Sequence, residues 1–132
     1  MKKETLYQLQ SYQEQINKIQ EHLQKLEEQD QELEDLIENL EHLKAIDKNS
    51  DGLFPMANGI FLSAKVDKVN DLLINVGQGI LVKKSVDQTI EIIKKQQKNL
   101  HQHKEESMQT YTQLLMKFQT LAEEAEPGEE DV

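Results

Sequence analysis

Residues 72–90 read LLINVGQGILVKKSVDQTI, and the fold turns on them. Leu72, Ile74 and Val76 alternate with Leu73 and Asn75, the two-residue period of a β-strand. Gly77-Gln78-Gly79 then supplies turn chemistry, and Ile80, Leu81 and Val82 lead a second strand back. The period changes again at Ser85. That residue stands at an N-cap with Gln88 three positions on, the capping box that opens a helix. One short segment thus predicts a β-hairpin feeding a helix.

The same signature lies just upstream. In GIFLSAKV (59–66), Ile60, Leu62, Ala64 and Val66 fall on one strand face, with Ser63 and Lys65 on the other. ANG at 57–59 marks a turn between LFPM and GIFL. Two short hairpins are therefore expected within residues 47–84. They carry apolar residues on both faces, such as Phe61 opposite Leu62 and Leu73 opposite Ile74. Hairpins of this size are marginal alone and leave open edges, so the segment reads as an assembly platform that pairs with other chains.

Both flanks are helical. Residues 4–46 hold no Gly or Pro, and Leu9, Tyr12, Ile16, Ile19, Leu23, Leu26, Leu33, Ile37 and Leu40 step alternately by three and four. Asp30 alone breaks this heptad series, with Leu9, Ile16, Leu23, Asp30 and Ile37 at a. Such a helix is roughly 65 Å long at 1.5 Å per residue. Across 85–125, Val86, Ile90, Ile93, Leu100, Tyr111, Leu114, Phe118, Leu121 and Ala125 fit a second heptad frame, interrupted by Gln97, Lys104 and Ser107. Neither narrow stripe is stable alone in water, so the arms (1–46 and 85–125) should fold back on each other as an antiparallel coiled-coil hairpin. This pairing brings Asp30 level with the Gln97 to Lys104 region. Residues 126–132, with Pro127, Gly128 and a run of acids, are expected to form a solvated tail. The fold class is α+β, mainly α.

Composition narrows the function. The 132 residues are 36% apolar and 30% charged, too little apolar material for a thick interior but suited to long helices. Net charge is −10 and every basic residue is lysine, which disfavours nucleic acid and anionic membranes as partners. There is no cysteine, no signal-peptide h-region after MKKETLYQLQ and no membrane-length apolar run, so a cytoplasmic protein is expected. DKNSDG (47–52) places Asp47, Asn49, Asp51 and Gly52 like the first half of a calcium loop. The twelfth position is Asn58 where a bidentate Glu belongs, Pro55 lies inside the loop and a strand follows. Turn chemistry is the better reading, and no metal or cofactor is expected. His101 and His103 point to different helix faces and cannot share one ion; His22 and His42 lie off the seam, where solvated side chains are expected. With no phosphate loop, no triad and only solvated carboxylates, no enzyme is expected.

The order of long helix, two glycine-turned hairpins and long helix resembles prefoldin, in particular an α-class subunit, since β-class subunits have one hairpin. The residues carrying the resemblance are LFPMANGIFLSAKV and above all LLINVGQGILVKKSVDQTI. The resemblance implies an archaeal-type hexamer with β-class partners, two α and four β subunits, whose hairpins form an intersubunit β-barrel. Eukaryotic α-class paralogues share the layout. Ile60, Phe61, Leu62, Leu72, Leu73, Ile74, Val76, Gly77, Gly79, Ile80, Leu81 and Val82 would carry the assembly. The resemblance also implies an ATP-independent chaperone that holds non-native polypeptides at coiled-coil tips and passes them to a group II chaperonin.

Both chain ends lie at the tip of an antiparallel hairpin, where Leu6, Tyr7, Met108, Leu115 and Met116 stand outside the seam. Leu9, Tyr12, Tyr111, Phe118 and Leu121 belong to the seam and become reachable if the last turns splay. Adaptable Met and aliphatic side chains suit clients of varied shape. Each has a plainer role as well: Leu6, Leu115 and Met116 as a widened stripe, Tyr111 and Phe118 as ordinary seam residues. A coiled-coil scaffold binding one defined partner fits the same pattern. Lys83 and Lys84 beside the ILV strand serve either a partner contact or edge protection.

Overall fold

The computed structural model describes residues 2–46, 49–67 and 70–125. Helix α1 (Lys3–Lys44) and helix α2 (Val86–Ala125) enclose four strands: β1 (Asp51–Ala57), β2 (Ile60–Lys65), β3 (Leu72–Asn75) and β4 (Leu81–Lys84). The chain packs as two units. One is Glu32–Gln97; the other takes the described residues up to Gln31 together with those from Lys98.

The unit Glu32–Gln97 holds the best-formed core. Ile37 and Leu40 of α1 meet Val86, Ile90 and Ile93 of α2, with Leu33, Leu43 and Leu72 against them. The start of α2 is fixed from two directions. The Ser85 N–H donates to Gln88 Oε1 at 3.0 Å, and Gln88 N–H donates to Ser85 Oγ at 3.1 Å, the reciprocal capping box read from the sequence. The Val86 N–H, another donor with no helical partner, is taken by Asn70 Oδ1 at 2.9 Å.

Strands β1 and β2 pair antiparallel in one two-stranded sheet, β3 and β4 in a second. In the first, Asn58 and Gly59 turn with φ of 51° and 78°, the double positive φ of a type I′ hairpin. A bulge shifts the register between Pro55 and Ala57. In the second, Gly77, Gln78 and Gly79 all have positive φ, and Asn75 Oδ1 accepts from the Gly77 N–H at 2.8 Å. The strand β1 already begins at Asp51, which pairs with Lys65 as Gly52 pairs with Ala64. The last two residues of DKNSDG are thus extended strand, as a helix-to-strand connection requires. Asp47 lies outside the described residues, as does the acidic segment 126–132.

In the unit that carries the chain ends, the heptad positions of both helices are buried or half-buried, including Ser107, Lys104 and Asp30. Polar contacts flank the seam at steps of seven. Gln20 Nε2 donates to the Tyr111 hydroxyl at 3.0 Å, and Lys104 Nζ donates to Glu27. One heptad further along, within Glu32–Gln97, Gln97 Nε2 donates to Glu34 Oε2 at 2.8 Å. Ascending numbers on α1 against descending numbers on α2 establish the antiparallel register. Asp30 bonds His101 at 2.8 Å and approaches Lys104 at 3.8 Å, so the polar heptad positions of the two arms meet as their levels predict.

Candidate functional site

Most of the large apolar side chains exposed among the described residues fall in two groups. The first lies on the hairpins. Register fixes the faces, because neighbours two apart share one. On β3 and β4, Leu72, Ile74, Val82 and Lys84 share a half-buried face, and Leu72 packs on the helical core. The opposite face holds Leu73 and Leu81, both about 60% exposed, with Lys83 among them. Only one face of this hairpin is covered by the described residues.

The first hairpin is barer. Phe54 and Leu62 lie on one face, Leu53 and Phe61 on the other, and all four are exposed. Met56 and Ile60 near the turn are exposed too, as are Val76 and Ile80 on the second hairpin. Gly77 and Gly79 shape the turn between β3 and β4. So many large apolar side chains facing water exceed the scattered singles of an ordinary surface and mark an interaction site. Leu53, Phe54 and Met56 belong to this group too, beyond the residues from 60 onward that the sequence leads one to expect. Their signal was the LFPM run paired across the ANG turn.

The second group lies where the outer ends of α1 and α2 meet. Lys2 and Thr5 line a shallow depression with Leu121, Glu124 and Ala125, which brings the two ends side by side. Leu6, Tyr7, Met108 and Met116 are about half or more exposed. Leu9, Tyr12, Tyr111, Phe118 and Leu121 are half-buried in the seam, and Leu115 is half-buried beside it. The ten residues expected at the tip therefore divide, with four exposed and six packed between or alongside the helices. Met108 is exposed but not at the tip: it stands a turn before Tyr111, the partner of Gln20, mid-way along α2.

Histidines depart from expectation. His22 and His103 meet across the helices with Nε2 atoms 3.0 Å apart, and His101 reaches Asp30. Three of the four are engaged in contacts between helices. Heptad position says nothing of a pair flanking the seam, because whether two such side chains meet depends on register.

A solved chain described as filamentous PFD from Methanocaldococcus jannaschii superimposes with a TM-score of 0.79 at 22% identity, covering 90% of this chain and 98% of that one. No curated protein matches the sequence. No helix among the described residues is long and apolar enough to cross a membrane. The family model described as prefoldin subunit matches residues 12–127, which spans both helices and both hairpins, and the chain belongs to that family.

Proposed function

We propose that this chain is an α-class subunit of a prefoldin-type, ATP-independent chaperone, with no enzymatic activity and no cofactor. Its hairpins join those of β-class subunits in a hexamer of two α and four β chains. Its helix ends hold non-native polypeptides and release them to a group II chaperonin. The observation that carries the reading is the pair of exposed apolar surfaces, one on the hairpins and one on the outer helix ends. An assembling chaperone subunit needs both; a lone coiled coil needs neither.

Two hairpins, where β-class subunits have one, support the α-class assignment. The filamentous state of the structurally similar chain supports the fold as an assembly unit. Leu6, Tyr7, Met108 and Met116 offer flexible apolar contact without a shaped pocket, and several such ends acting together bind a client through avidity. The cytoplasm is the compartment this role requires.

Replacing Leu6, Tyr7, Met108 and Met116 together by serine tests the reading, because exposed positions can change with little effect on folding. The co-expressed complex is weighed by native mass spectrometry, and its ability to keep a denatured client from aggregating is measured. The expected result is an intact hexamer with client protection reduced roughly tenfold or more. A hexamer that protects as well as before refutes the client role and favours a scaffold. A filament or homo-oligomer in place of the hexamer refutes the stoichiometry alone.

A further inference from the structure

We propose that His22 and His103 form a two-histidine site for a divalent transition-metal ion, Cu²⁺ or Ni²⁺, bridging α1 and α2. The two Nε2 atoms stand 3.0 Å apart, and the rings meet edge-on at 82° with centroids 5.0 Å apart. With metal–nitrogen bonds of about 2.0–2.1 Å, ligands at a right angle lie about 2.9 Å apart and tetrahedral ones about 3.4 Å. The observed spacing lies within a few tenths of an ångström of both, so the two rings can share one ion, and an all-nitrogen pair completed by water suits Cu²⁺ or Ni²⁺.

In the metal-free pair one ring donates its Nε2 hydrogen to the other. Binding moves that proton to Nδ1 and frees both Nε2 lone pairs for the ion, so no co-reactant is needed. His103 is exposed and His22 half-buried, which leaves an open path from solvent. Among the described residues no third His, Cys, Asp or Glu completes a ligand set, so water takes the remaining positions. The ligands are 81 positions apart and meet only when the helices are paired. An ion held by both therefore binds the folded form alone and stabilises the paired helices at this level.

The test uses untagged full-length chain in its native complex, stripped with chelator and titrated calorimetrically with NiCl₂ and CuCl₂. One ion per chain is expected. His22→Gln and His103→Gln, which keep a hydrogen-bonding side chain, should each weaken binding roughly tenfold or more. His42→Gln and His101→Gln should leave it unchanged. Excess Ni²⁺ should raise Tm in the parent and in the His42 variant but in neither member of the pair, which separates a lost ligand from a damaged fold. No binding by the parent overturns the proposal. So does binding that survives either His22→Gln or His103→Gln, or that depends equally on His42 or His101.

Discussion

Asp30 is the polar residue in an otherwise apolar α1 seam, and replacing it by leucine sets two effects against each other. Its side chain is 20% exposed, so a leucine there would bury most of its surface. Full burial of leucine stabilises by roughly 1.5–3 kcal/mol, and four-fifths of a middle value is about 1.8 kcal/mol. The loss is the 2.8 Å bond to His101 and the 3.8 Å approach to Lys104. His101 is 58% exposed, so solvent screens that bond, and about 1 kcal/mol covers both contacts. Lys104 keeps Glu27 and is not stranded. Burial wins: Asp30→Leu should stabilise by roughly 0.5–1 kcal/mol, whereas Asp30→Ala should destabilise by about as much. Urea unfolding followed by circular dichroism at 222 nm, at one fixed protein concentration, measures both. Asp30→Leu proving less stable than Asp30→Ala would refute the ranking and make the polar cluster a net stabiliser. What Asp30 then contributes is register, since a slip of one heptad removes it from His101 and Lys104.

Other expectations follow from the same contacts. Ile90→Ala, in the core of Glu32–Gln97, should cost about 2–4 kcal/mol in urea unfolding, while Phe61→Ser should change chain stability by less than about 0.5 kcal/mol and still abolish assembly in native mass spectrometry. Gly77 has φ of 116° and open space where a Cβ would stand, so Gly77→Ala carries only backbone strain, about 1–3 kcal/mol by thermal unfolding. The hydrogen bond from Lys104 to Glu27 raises the lysine above its ordinary pKa, against the opposing effect of desolvation. Its contribution is therefore fully present below the unfolded value, roughly pH 10.4, and lost as pH rises through the higher folded value. Lys104→Met should remove that alkaline step, at most about 1 kcal/mol, from a plot of stability against pH.

Periodicity carried most of the fold because the decisive choices were local. A heptad stripe, a capping box at Ser85 and Gln88, and glycine turns at 59 and 77–79 each follow from a few neighbouring residues. What stayed hidden depends on distant partners. Both faces of β3 are apolar, so nothing local says that Leu72 packs inward while Leu73 faces out. Leu115 and Met116 are adjacent and chemically alike, yet one is half-buried beside the seam and the other is exposed. The His22–His103 pair requires a register that only the joined helices supply. The bulge between Pro55 and Ala57 arises from cross-strand pairing, which the order of residues does not display.

The polar pairs spaced by seven along the helices also set an order of events in time. Partners are 63 positions apart at Glu34–Gln97, 77 at Glu27–Lys104 and 91 at Gln20–Tyr111. Loop-closure entropy grows only as the logarithm of that separation, so advancing from the first pair to the last adds about 0.3 kcal/mol once the first is made. Closing the first pair unaided is the slow step; each later heptad joins a chain already held together. Loop closure therefore favours a zip that starts near the hairpins. The outer turns, which carry Leu6, Tyr7 and Met116, close last. Under the proposed function, a client arriving there would meet the part of the molecule whose native contacts close last.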